Sequence, residues 1–300
     1  PHIGLPDPDH RLVGAVVHEV LEQIVIEVTK AARLGYDEAL EGAPVSIPWP
    51  SASRVDDLLN EAARRVVFDE GLSGFGLARL LVAGAGPVLS VAADVEWNGA
   101  TMLEGVLAPE ITGGVAMPRS GRIIAFRADR LDRGPAATDY KTGRPLSNGK
   151  KAETRFDHLF KKVSRGRVLQ AVAYALAGPS DSGVGRYVYL KPDIGDAPPE
   201  SRVIEAAASE EVLSSAFFAA VETIETALET GAAFPRVREA DGKKADHCRF
   251  CSVAEGCRQD DSVFRRRLEE LMEDDESNEI TAMAAARGLW WLGVEREPDL

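Results

Sequence analysis

The sequence predicts an α/β protein in which short strands lie between amphipathic helices and a cysteine-bearing segment closes the chain. Three observations carry this expectation. Apolar residues recur at helical spacing over residues 11–33, short runs with turn signals replace them between 87 and 140, and helical spacing returns after 166. All three cysteines of the chain stand within ten residues, "CRFCSVAEGC".

Taken in order, "GAVVHEVLEQIVIEVTKAARLG" reads as an amphipathic helix. "PWPSASRVDDLLNEAARRVVFDE" follows a proline-rich break and reads as a second helix, capped by Ser51 or Ser53. A glycine-punctuated helix is expected near 74–84. The runs "PVLSVAADVEW", "ATMLEGVLAPEI", "GRIIAFRADRLDR" and "AATDY" suggest a meander of strands. "GRVLQAVAYALAG" returns to helix, "GVGRYVYLKP" to strand, and "SEEVLSSAFFAAVETIETALETG" to a long helix ending at Gly231. A charged helix is expected near 258–274. The tail motif "GLWWLGV" reads as a packing or partner-docking patch. This order gives an α/β or α+β core with helical decoration. It divides into an N-terminal helical part (1–85), a core (86–235) and a cysteine region with its tail (236–300).

Three hundred residues, 45% hydrophobic and 28% charged, suffice for a large buried core. No run approaches the roughly 18 apolar residues of a membrane span, and no basic-then-apolar leader opens the chain. A soluble, cytoplasmic protein with no membrane partner is expected. Because the chain begins at Pro1, it is also expected to be part of something longer. The net charge of -13 has the wrong sign for DNA binding by the overall field. Locally the balance reverses. Residues 141–167 carry nine Lys and Arg against only Glu153 and Asp157, as either a polyanion-binding loop or a solvated one. The cysteines, three and clustered, point to metal or cluster binding in a reducing compartment rather than to disulfides.

The chemistry concentrates in "FRADRLDRG" and "AATDYKTG", joined by a turn at Gly134–Pro135. Side chains alternate along a strand, so Asp139 and Lys141 share a face and Tyr140 takes the other. Such a pair is either a surface ion pair or part of a phosphodiesterase site. Metal-assisted phosphodiester hydrolysis needs acidic oxygens converging on hard cations, and a positive group near the attacked phosphate. Asp129 before the turn, Asp139 and Lys141 after it, and the Tyr140 carbonyl have that form.

"ADRLDRGPAATDYKTG" resembles the core of RecB-type nucleases of the PD-(D/E)xK superfamily, where D-R-x-D, a turn and D-Y-K-T/S-G follow one another. "LVGAVVHEVLE" resembles the helix carrying the family's metal-site histidine, and "QAVAY" its Q-x-x-x-Y motif. "CRFCSVAEGC" resembles the C-x2-C-x5-C end of the AddB-like subgroup holding a [4Fe-4S] cluster. Together the motifs span residues 11–257. The resemblance implies a central mixed β-sheet flanked by helices, a restriction-endonuclease-like core with a C-terminal cysteine-bound clamp.

It further implies Mg²⁺ or Mn²⁺ held by Asp129, Asp139, an upstream glutamate, His18 and the Tyr140 carbonyl. Lys141 would act in catalysis, and Gln170 and Tyr174 would support the site and contact the scissile strand. The upstream acid is Glu110 or Glu104, with Glu110 preferred because "VLAPEI" better matches the family's strand. Cys248, Cys251 and Cys257 would ligate the cluster. DNA, single-stranded or unwinding, is the implied partner, and a helicase subunit or domain a further one, since the chain holds no Walker phosphate loop.

Two features depart from the family pattern. Phe126 stands where glycine usually precedes the D-R pair, and the family's upstream fourth cysteine is absent from this chain. Two other classes of function compete. One is a catalytically inactive DNA-binding or assembly module of the same fold. The other is a zinc-clamped interaction domain, with His247 as fourth ligand.

Overall fold

The computed structural model describes residues 9–31, 33–73, 76–97, 102–232, 245, 248, 251–258, 261–273 and 281–294. The chain divides into two compact units. One comprises residues up to Leu159 together with Leu169–Ser214; the other comprises Phe160–Val168 with Ser215–Leu300.

The first unit is built on a seven-stranded mixed sheet. Helix α1 (His10–Thr29) starts at Asp9, whose carboxylate accepts from the Arg11 amide, and ends at Lys30 in the left-handed region. Then come β1 (Leu34–Gly35), α2 (Tyr36–Leu40), β2 (Val45–Pro48), α3 (Ala52–Asp69) and α4 (Ala78–Glu96). Ser51 caps α3 by accepting from the Arg54 amide. The strands β3 (Met102–Ala116), β4 (Ile123–Asp132) and β5 (Ala136–Lys141) form the antiparallel meander. Helices α5 (Ala152–Ser164) and α6 (Gln170–Ala177) lead to β6 (Val184–Tyr189), which pairs in parallel with β5, and β7 (Val203–Ala207) adds an antiparallel edge. The strand order is β1-β3-β4-β5-β6-β7, with β2 also on β3.

Burial separates the two faces of the sheet. The apolar stripe of α1, from Leu12 to Val25, joins residues of α3 and α4 and the strand residues Val106, Tyr140 and Val188. The opposite face carries Ala108, Ala128, Leu131 and Ala137 with Tyr36 and Tyr174. Helix α6 approaches β6 closely because Gly183 and Gly185 present no side chain. A Cβ on Gly185 would stand 1.8 Å from the Ala171 carbonyl oxygen.

Three expectations are corrected here. Residues 87–96, read as strand, continue α4 despite Pro87. Leu81, Ala85, Val88, Leu89 and Ala92 recur at helical spacing on its buried face, and that packing outweighs the amide lost at proline. The boundary drawn at residue 85 therefore falls inside a helix. Second, α4 is long and apolar enough to cross a membrane by length and composition, with mean hydropathy 1.4. Its buried face nonetheless belongs to the core shared with α1 and α3. Third, the basic stretch contains helix α5 instead of running as a loop throughout. Phe156, Leu159, Phe160 and Val163 give it a helical apolar period beneath its charges.

The second unit contains α7 from Ser215 to its end (the helix runs Glu211–Glu229), α8 (Ser262–Glu273) and α9 (Thr281–Trp290). Its core gathers Ala227, Ala232, Leu268, Met272, Ala285, Ala286 and Trp290. The Trp291 indole N–H donates to the Met272 carbonyl at 3.1 Å. Both tryptophans of "GLWWLGV" thus serve packing within this unit.

Candidate active site

The site grows from where neighbouring strands part. Gly134, at φ +82°, makes the tight turn from β4 to β5. The ladder then runs Asp132↔Ala136, Leu131↔Ala137 and Arg130↔Thr138, and stops. One further step in that register faces Asp129 toward Asp139. Across β3 and β4, Pro109 pairs with Arg130 and Ile111 with Ala128, which brings Glu110 beside Asp129. Three adjacent strands therefore deliver three carboxylates to one place. Glu110 takes φ +45°, a strained value for a residue with a side chain. Glu104 lies toward the other end of β3, exposed, where its carboxylate accepts from the Ser46 hydroxyl.

Alternation along β5 holds as expected. Lys141 Nζ lies 2.6 Å from Asp139 Oδ2. It donates to Gln170 Oε1 at 2.9 Å and stands over the Tyr187 ring at 5.3 Å. Asp139 is only 5% exposed, so the pair is not a surface ion pair. The Tyr174 hydroxyl lies 2.7 Å from the Arg127 carbonyl and 3.2 Å from Asp139 Oδ1, sharing its single proton between two acceptors. Tyr174 is fully buried, and its hydroxyl reaches Asp139 from inside. Gln170, at the start of α6, touches Lys141 instead.

From the other layer, His18 Nδ1 sits 3.0 Å from Asp129 Oδ1, and the Tyr140 amide donates to Asp129 Oδ2 at 2.6 Å. In a strand the N–H and C=O of one residue point the same way, so the Tyr140 carbonyl faces the same gap. The Tyr140 ring points into the core, as alternation requires. One turn before His18, Gly14 lets α1 close on the residue after β5, since a Cβ there would lie 3.2 Å from Thr142 Oγ1.

Phe126 closes the floor. Its ring covers Gly113 on β3, where a Cβ would come within 2.5 Å of it, and lies 5.0 Å from the Tyr174 ring. The glycine missing before the D-R pair is answered by one directly across the ladder. Two positions that sequence reasoning passed over also matter. Tyr187 supports Lys141 and accepts from the Ala171 amide at 3.0 Å, satisfying an otherwise unpaired N–H at the start of α6. Glu96 ends α4 beneath β4 and β5. No local pattern marks either residue.

The charges oppose one another. Burial raises the Asp139 pKa and the negative charge of Asp129 raises it further, with Lys141 only partly offsetting both. Glu110 is also raised, by burial first, against the pull of its partner Arg127. Burial disfavours a charged His18, but the hydrogen bond and charge of Asp129 outweigh it and the pKa rises. Glu22, one turn beyond His18, is raised by burial and by Glu110 and Glu19.

The donor set, carboxylate oxygens with one imidazole, suits a hard divalent cation. Asp139 Oδ2 is buried and lies 2.6 Å from the Lys141 ammonium. Among the described residues no three His, Cys, Asp or Glu side chains stand as a ready-made cation site. The residues thus fit a cation in donor type, while the gathering of three donors is left to binding.

The same holds for the cysteines. Cys248 is buried, Cys251 exposed and Cys257 half-buried against the core of the second unit. They do not converge as a cation site among the described residues, and three thiols are one fewer than a four-cysteine cluster needs. His247 lies outside the described residues.

A mixed sheet flanked by helices, with acids and a lysine where its central strands part, defines an α/β fold of the restriction-endonuclease-like kind. A family model, the PD-(D/E)XK nuclease superfamily, matches residues 3–258, and the chain belongs to that superfamily. Its members are generally phosphodiester hydrolases that use divalent metals. Neither the curated proteins nor the solved structures gave a match.

Proposed function

We propose that this chain is a Mg²⁺- or Mn²⁺-dependent deoxyribonuclease acting on single-stranded or unwinding DNA. The observation that carries the reading is the meeting of Asp129, Asp139 and Lys141 at the parted ends of β4 and β5. Asp129, Asp139, Glu110, the His18 imidazole and the Tyr140 carbonyl would hold the cation, which when bound offsets charge on the phosphate and makes water a better nucleophile.

The chain's own groups do the rest. His18 meets Asp129 through Nδ1, and as a neutral ring donating there it would offer the Nε2 lone pair to the cation. Lys141, held by Asp139, Gln170 and the Tyr187 ring, keeps its ammonium where negative charge builds on the phosphoryl oxygens. Tyr174 fixes the Asp139 carboxylate from behind. Lys150, Lys151 and Arg155 supply phosphate contacts.

The resemblance of the D-R-x-D, DYK and Q-x-x-x-Y motifs to RecB-type nucleases supports exonuclease action in DNA repair or recombination, with a helicase subunit or domain as partner. The cysteine spacing supports a [4Fe-4S] cluster, provided a fourth ligand joins Cys248, Cys251 and Cys257. Anaerobically purified protein is then expected to contain iron and sulfide and to absorb in the visible. Zinc in a colourless protein would replace the cluster with the zinc-clamped alternative.

Single-stranded DNA is expected to be degraded only with Mg²⁺ or Mn²⁺, and not by Asp139→Ala or Lys141→Ala. Activity surviving both changes overturns the site. A non-cleaving DNA-binding module of the same fold draws on one observation, that the donors are not gathered before a cation arrives. DNA binding in EDTA, with no cleavage in either metal, would favour it.

A further inference from the structure

Beyond Arg130↔Thr138 no backbone ladder joins β5 to β4, although Asp129 and Asp139 lie just past that point. Something else must set their separation. On the core face, Arg130 is 1% exposed and grips Asp132 with two parallel hydrogen bonds, both 2.7 Å. Its guanidinium also donates to the Tyr140 hydroxyl and lies 2.5 Å from Glu96 Oε2. The Tyr140 hydroxyl in turn donates to Glu96 Oε2 at 3.2 Å, and Arg186 on β6 reaches Glu96 Oε1 at 3.3 Å. Glu96 is thus enclosed by groups from β4, β5 and β6. Arg130 directly follows Asp129, and Tyr140 lies between Asp139 and Lys141. The two residues pinned by Glu96 are therefore the ones that carry the site on its other face.

We infer that Glu96 is a positioning residue: from the end of α4 it clamps Arg130 and Tyr140, and so fixes how far Asp129 stands from Asp139 where the ladder has ended. The clamp itself rests on geometry alone; its effect on a cation rests on the proposed nuclease reading. A charged helix end that only stabilised the fold would not need to reach both parted strands. Glu96 does, through a single carboxylate. The Tyr140 amide, bonded to the Asp129 carboxylate across the gap, reports the separation directly.

The test compares wild-type full chain with Glu96→Gln and Tyr140→Phe by amide hydrogen exchange and by Mn²⁺ titration without DNA. Tyr140→Phe removes one hydroxyl and serves if Glu96→Gln folds poorly. Exchange at the Tyr140 amide is expected to quicken at least tenfold. The Leu190 amide, bonded to the Lys141 carbonyl at 2.7 Å on the β6 side, is expected to keep its rate. Mn²⁺ affinity is expected to fall about three- to tenfold. Unchanged exchange at Tyr140, or equal quickening at Tyr140 and Leu190, overturns the clamp. Faster Tyr140 exchange with unaltered Mn²⁺ affinity overturns its positioning role. If wild type neither binds Mn²⁺ nor cleaves DNA, the nuclease reading fails, and the exchange rates still decide the clamp.

Discussion

Asp139→Asn is expected to abolish cleavage and, in the absence of divalent metal, to raise the melting temperature at pH 7.5. Two effects act on one atom group. Cleavage needs the carboxylate, because asparagine removes one of the negative charges that would hold a hard divalent cation. Stability is governed by the raised pKa of Asp139, caused first by burial and then by Asp129. For a carboxyl raised on folding, the folded form binds the proton more tightly than the unfolded chain. Its stabilising contribution is complete below the unfolded pKa and is lost as pH rises through the folded one. At pH 7.5 the ionised group therefore weighs against the fold, and asparagine removes that weight while still accepting from Tyr174. The gain is read as an upward shift of the melting midpoint at pH 7.5 relative to wild type. Mg²⁺ should stabilise wild type and leave the variant nearly unmoved. Thermal melts with and without Mg²⁺, at pH 7.5 and near pH 3, check this; at the lower pH the difference should vanish. A less stable variant at pH 7.5 would contradict the electrostatic account.

Gly185→Ala is expected to be the most damaging single methyl in the first unit. The added carbon would lie 1.8 Å from the Ala171 carbonyl oxygen and 2.6 Å from its carbon, both backbone atoms that no rotamer change can clear. Helix α6 would have to lift from β6, taking Gln170 and Tyr174 away from Lys141 and Asp139. Overpacking typically costs about 1–3 kcal/mol, and a clash with backbone atoms falls at the upper end of that range. Denaturant melts should show that loss, and residual folded protein should have lost activity as well. Gly35→Ala is the control, since nothing lies within 4 Å of its added Cβ. Equal stability of the two variants would mean that α6 does not rest on β6 as closely as described.

What could be read from the sequence was local. Asp129, Asp139, Lys141, Gln170 and Tyr174 occupy short patterned segments, and strand alternation alone placed Asp139 with Lys141. Glu110 could be preferred over Glu104 but not placed, because its nearness to Asp129 depends on the register of a bulged, fifteen-residue strand. Proline and glycines disguised α4, whose apolar period becomes meaningful only against α1 and α3. Charge disguised α5 in the same way. Glu96 gave no signal at all: its partner Arg130 lies 34 residues away in a strand, and only tertiary packing joins them. The burial of Tyr174 was equally hidden, since a tyrosine one turn after a glutamine looks the same whether it faces solvent or core.

The division into two units has a practical consequence for dissecting the protein. The sheet-bearing unit is interrupted by Phe160–Val168, and the chain passes between the units three times, after Leu159, after Val168 and after Ser214. Gly166 in that short insert has Ile224 and Leu292 as its neighbours, both from the C-terminal share of the same second unit. No single cut, by protease or by cloning, can therefore release one unit whole. A fragment ending at residue 214 keeps the insert but loses the surface against which it folds, so separation of functions is better sought by substitution than by truncation.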